Sequence, residues 1–140
     1  MSKWDHRFLE LAELVSTWSK DPSTKVGAVI VSPDNRIVSL GFNGFPVRVN
    51  DDDRLARREV KYKMVLHAEE NAILFAGRRL GNCSIYTYPL SPCPHCASVI
   101  IQSGIDEVIF PIGEVPDRWK DDMKLALKMF EEACVSWRAI

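Results

Sequence analysis

Apolar positions along the chain follow two rhythms. Phe8, Leu9, Leu11, Ala12, Leu14, Val15 and Trp18 recur at helical spacing and predict an amphipathic helix from about Asp5 to Lys20. Asp21-Pro22-Ser23 should stop it. Val26-Gly27-Ala28-Val29-Ile30-Val31 is unbroken and apolar, as in a strand covered on both faces. Ile37–Phe42 reads as its hairpin partner across Pro33-Asp34-Asn35. A second helix is expected from about His67 to Ala76, closed by Gly77, then short strands at Ser84–Tyr88 and Glu107–Phe110. Ser91-Pro92 predicts an N-cap and first-turn proline opening a helix from about Cys93 to Ser103, with Gly104 closing it. Trp119, Met123, Ala126, Leu127 and Phe130 stripe a helix from about Asp117 to Ala133, and Val135–Ala139 reads as a last edge strand. The order αββαβαβαβ predicts an α/β fold, a three-layer αβα sandwich around a five-stranded mixed sheet.

One stretch breaks the pattern. Residues 48–63 hold six basic and four acidic side chains, which reads as a long loop or a loop with a short helix. Such a segment is either solvated or a substrate or subunit contact. Arg48, Arg54, Arg57 and Arg58 are candidates there for holding a phosphate.

Length adds that residues 1–140 form a single domain, since domains cluster near roughly 100–150 residues. Eighteen basic against nineteen acidic residues leave a formal charge of -1, which disfavours nucleic acid or a membrane surface held by bulk charge. The longest apolar runs stop short of the roughly 20 residues that span a bilayer. The start, Met1-Ser2-Lys3-Trp4-Asp5-His6-Arg7, carries no signal-peptide pattern, so a cytoplasmic, reducing compartment is expected. Cys83, Cys93, Cys96 and Cys134 are then thiols or metal ligands rather than a disulfide framework.

Three potential zinc ligands fall at two helix starts: His67, and the pair Cys93 and Cys96 on one helical face. A helix N-terminus favours thiolate, the form that zinc binds. Three protein ligands leave one tetrahedral position open, as catalytic sites do. Glu69, two residues after His67, is badly placed as a fourth ligand but well placed to move protons. Together these residues suggest hydrolytic attack on an electrophilic carbon.

At this point a resemblance emerges. His67-Ala68-Glu69 followed by Pro92-Cys93-Pro94-His95-Cys96 resembles the H-x-E…P-C-x-x-C signature of the zinc-dependent nucleobase deaminases, a signature that is itself a standard example of this chemistry. The resemblance implies one Zn2+ per chain on His67, Cys93 and Cys96, with Glu69 as acid/base, and a cytidine-deaminase-like fold. Four stretches are more similar to the deoxycytidylate (dCMP) deaminases: Ser19–Ala28, Gly41-Phe42-Asn43-Gly44-Phe45-Pro46, His67–Leu74 and Ile100–Ile105. They imply conversion of the small nucleotide dCMP to dUMP and ammonia, Asn43 as a substrate contact, and a homo-oligomer, hexamer or dimer. Lys25 reads either as a phosphate contact or as a solvated lysine at a strand end. A response to dCTP and dTTP through the Gly41–Gly44 loop is also implied. This chain departs from that pattern in four places. Phe42 stands where the family carries tyrosine, and the span from Pro46 to His67 lacks the accessory zinc residues of some relatives. Pro89 interrupts the strand-to-helix run, and Ile112–Trp119 matches poorly.

Other readings compete. A deaminase of dCTP, guanine or tRNA adenosine shares the zinc signature. Cys93-Pro94-His95-Cys96 also has the form of a thiol–disulfide oxidoreductase, but it lies late in the chain with His-x-Glu upstream. A structural zinc module would need a fourth ligand from His95, Cys83 or His6. Cys83 is expected in the core or a loop, Cys134 in the core, His6 on the surface, and Trp4, Trp18, Trp119 and Trp137 chiefly in packing.

Overall fold

The computed structural model describes residues 2–140. Helix α1 (Lys3–Ser16) opens with a capping box: the Ser2 hydroxyl accepts the Asp5 N–H and the Asp5 carboxylate accepts the Ser2 N–H. It ends four residues earlier than the periodicity predicts. The Ser16 and Thr17 hydroxyls donate to the Glu13 and Leu14 carbonyls, and tighter turns follow at Trp18 and Ser19.

Strand β1 (Gly27–Val31) pairs antiparallel with β2 (Ile37–Phe42) and with β3 (Ser84–Tyr88). Strands β4 (Glu107–Phe110) and β5 (Ser136–Ala139) continue the sheet in parallel, giving the order β2-β1-β3-β4-β5. Every residue of β1 is buried because both of its faces are covered. Val29 and Val31 join Phe8 and Ala12 of α1 with Tyr86 and Ile109. Ala28 and Ile30 face the larger core with Ile85, Val108 and Phe110. That second core is closed by α3 (Ala68–Ala76), α4 (Pro94–Ser103) and α5 (Asp117–Glu132), which contribute Ala72, Ile100 and Phe130. The expected three-layer αβα sandwich and mixed five-stranded sheet are both present.

Two glycines let helices touch the sheet. A Cβ at Gly27 would lie 2.0 Å from the Ala12 carbonyl oxygen of α1, and one at Gly41 would lie 2.5 Å from the Ala72 nitrogen of α3. The second contact matters for function, because α3 carries the first half of the signature.

The charged stretch after Gly44 is a loop with a short helix, one of the two forms expected: it holds a 3-10 turn (Asp53–Ala56) and a seven-residue helix, α2 (Arg58–Met64). Two expectations need correction. Helix α4 is capped by Cys93 with Pro94 in its first turn, two residues later than the Ser91-Pro92 reading, because the Cys93 sulfur accepts the Cys96 N–H. Cys134 is exposed rather than in the core; it turns the chain out of α5 with a positive φ of 59°.

Candidate active site

Two helix starts meet at the carboxyl end of β3. His67 is the N-cap residue of α3 and Cys93 that of α4. Their neighbours fix both turns: Glu70 accepts the His67 N–H through Oε1 at 3.1 Å, and the Cys93 sulfur accepts the Cys96 N–H. The chain thereby brings His67 Nδ1 to 3.2 Å from Cys96 Sγ and 3.5 Å from Cys93 Sγ. All three donor atoms lie within 4.8 Å of one another, and this is the metal-capable His/Cys/acid group among the described residues.

The electrostatics suit a cation. A shared proton from Cys96 holds the Cys93 thiol down at about 4, and the same bond pushes the Cys96 thiol far up. Contact with the Cys93 sulfur raises His67 to about 9. The group thus concentrates negative charge on the Cys93 sulfur. One imidazole and two thiolates are a zinc donor set with one position left open.

Glu69 follows in the first turn of α3 and is 5% exposed. Burial raises its pKa, opposed by the positive charge at His67. Burial thus favours the protonated form of Glu69 more than water would, as suits a group that takes up and gives back a proton.

The substrate-contact candidates separate. Asn43 is buried; its Oδ1 accepts the Val26 N–H at 2.9 Å and its Nδ2 donates to the Thr24 carbonyl at 2.9 Å. The next residue, Gly44, exchanges two backbone hydrogen bonds with Leu66, which immediately precedes His67. Lys25 is exposed and donates to the Ser19 carbonyl. Arg54 and Arg57 pair with Asp52 and Asp53, and Arg48 is exposed with a positive φ of 69°. Cys83 is buried in the core and His6 is exposed. His95 turns outward to Glu70 Oε2 at 3.2 Å, so neither the oxidoreductase nor the four-ligand reading gains a residue from it.

Sequence reading missed Asp21, Lys61 and Glu70. Asp21 looked like a helix stop and Lys61 like one charge in a solvated stretch, yet both are buried and paired at 3.1 Å. The Asp-Pro-Ser-Thr run was the available signal, since Asp21 Oδ1 accepts the Ser23 and Thr24 N–H groups.

No described helix is long and apolar enough to cross a membrane. The family model described as the cytidine and deoxycytidylate deaminase zinc-binding region matches residues 2–112. The chain is 51% identical to an uncharacterized deaminase from the luxG 3' region of Aliivibrio fischeri, covering 96% of this chain and 92% of that one. It is 40% identical to the Homo sapiens deoxycytidylate deaminase, covering 97% and 79%. The dCMP deaminase of cyanophage S-TIM5 matches at 23% identity with a TM-score of 0.79 over 100% of both chains in its apo form. Its complex with dCMP and dUMP matches with a TM-score of 0.76.

Proposed function

The chain belongs to the cytidine and deoxycytidylate deaminases, and from that premise we propose that it hydrolyses dCMP to dUMP and ammonia. The observation that carries the reaction is a buried carboxyl group, Glu69, one turn of chain from a compact His67–Cys93–Cys96 donor group. The substrate is supported by the deoxycytidylate deaminases at 40% identity and by the fold shared with an enzyme whose structure holds dCMP and dUMP.

In this reading His67 Nδ1 and the Cys93 and Cys96 sulfurs hold one Zn2+. When bound, zinc supplies Lewis acidity that brings water ionisation from about 16 to about 7. Glu69 handles the protons. It accepts one from the attacking water as the new C–O bond forms at C4, and delivers it to ring nitrogen N3. It then carries the second water proton to the exocyclic amine as the C–N bond breaks, so one water is consumed and ammonia leaves. The low-dielectric surroundings that raise the carboxyl pKa make it able to act as both base and acid.

Asn43 contacts the nucleotide in this reading; Oδ1 retains a second lone pair beyond the Val26 bond. Lys25, an exposed cation, holds the phosphate in this reading. A dCTP and dTTP response acts through Phe42, whose carbonyl accepts from Asn71 of α3 at 2.8 Å and so ties the loop to the helix bearing Glu69. Exposed Leu74 and Phe75 on α3 support a homo-oligomer, and four free cysteines support the cytoplasm.

The test is ammonia release from a panel of dCMP, dCTP, deoxycytidine, CMP, guanine and a tRNA anticodon stem-loop. Turnover of dCMP above the others is expected. Activity confined to a purine or to RNA would overturn the substrate.

A further inference from the structure

Lys61 and Asp21 form a charged pair that solvent barely reaches: their side chains are 6% and 4% exposed, with Nζ 3.1 Å from Oδ1. Forty residues separate them, so the pair fastens α2 to the turn that leads into β1. A pair so deeply buried is weak evidence for stability, because hydrophobic replacements of similar volume often serve as well. Its partners point instead to a spatial role.

Asp21 is a junction. Its Oδ1 takes Lys61 together with the Ser23 and Thr24 N–H groups, and its Oδ2 accepts from Asn43 Nδ2 at 3.4 Å. The other Asn43 bonds, to Thr24 and Val26, close a ring around the same amide. Ser19 adds a buried hydroxyl that donates to the Asn43 carbonyl at 2.9 Å. From Asn43 the next residue pairs with Leu66, beside His67. From Lys61 the chain reaches the same place through Val65, whose N–H donates to the Lys61 carbonyl at 2.8 Å. Two routes from one residue, one through its ammonium group and Asp21 and one through its backbone carbonyl, therefore converge on the strip that carries Asn43 and His67.

The geometry points to Lys61 as a positioning residue: through Asp21 it holds the Asn43 amide and the Gly44–Leu66 pairing in the orientation that receives the nucleotide. The inference rests on the dCMP reading for its kinetic consequence and on hydrogen bonds alone for its structural one. Lys61 touches neither the nucleotide nor a reacting atom; it fixes Asn43, which contacts the nucleotide in the dCMP reading. Removing the cation frees Asp21 to rotate away, and the Asn43 amide loses one of its anchors.

The experiment compares the zinc-loaded parent with Lys61→Met and with Asp21→Asn/Lys61→Met, in which no charge is left unpaired. In Lys61→Met, KM for dCMP should rise about fivefold or more, the worth of a misplaced hydrogen bond, with kcat within about twofold. In the double variant thermal stability should return toward the parent while KM stays raised. Amide hydrogen exchange at Val26, Gly44 and Leu66 should quicken about tenfold, with Phe130 of α5 unchanged. A double variant with both Tm and KM restored would reduce the pair to a fold-stabilising contact and overturn the proposal. Uniform quickening across the chain would do the same. Should the parent fail to turn over dCMP, the exchange pattern still decides the positioning role by itself.

Discussion

Arg138 grips Asp5 with two bonds, Nη1 to Oδ2 at 2.9 Å and Nη2 to Oδ1 at 3.0 Å, joining edge strand β5 to the first turn of α1. Tyr86 adds a hydroxyl to Asp5 Oδ1 at 2.7 Å. The guanidinium holds the Asp5 carboxyl well below the usual carboxylate range. A depressed folded-state pKa contributes stability that is present above the unfolded value, about 3.9, and is lost as pH falls through the folded value. Arg138→Met should cost about 2 kcal/mol at pH 7, the worth of charge-assisted bonds to a cation that is partly exposed. Below about pH 4 the penalty should shrink, because Asp5 takes up a proton in the unfolded chain and in the variant that lacks the guanidinium. Urea melts at pH 7 and pH 3 check this; a penalty independent of pH would assign the cost to packing.

Glu69→Gln keeps the volume of the buried side chain and removes its ability to shuttle protons. Turnover should fall by about 10²–10⁴ while zinc content and melting temperature stay near the parent's. Near-parental ammonia release would remove Glu69 from the mechanism.

Cys93→Ser separates the two tasks of one sulfur. Serine is a good N-cap, so α4 should keep its start and the far-ultraviolet circular dichroism should not change. Zinc measured by atomic absorption should fall well below one per chain, because a neutral hydroxyl is a poor zinc ligand. Retained zinc at one per chain would place the donor set elsewhere.

Gly41→Ala introduces a methyl group 2.5 Å from the Ala72 nitrogen and 2.6 Å from the Ala68 carbonyl, both backbone atoms of α3. The helix must move, at a cost of about 2–3 kcal/mol, and His67 and Glu69 move with it. Gly44→Ala is the control: a Cβ there meets nothing within 4 Å. Chemical denaturation of both variants should separate them, and kcat should fall in the first.

How far the sequence carried depends on the range of each interaction. Strands β2, β3 and β4 have the expected bounds because alternation and turn residues are local signals. The ends of α1 and the start of α4 were displaced by hydroxyl and sulfur groups competing for backbone partners, which apolar periodicity does not register. Cys134 differs for another reason: its thiol looks apolar, but a left-handed turn after α5 leaves it outside.

By itself the sequence determined the order of elements, the three-layer arrangement and the residue types that can hold zinc and move a proton, since these depend on neighbours within a few residues. Only the tertiary structure decided which charges are buried. Lys61 lies among ten charged residues in the 48–63 stretch, and nothing near it in the chain distinguishes it from the solvated ones. Its partner is 40 residues away, on the turn that leads into β1. Burial of an ion pair is a property of the space between elements, and that space is set by packing rather than by local pattern.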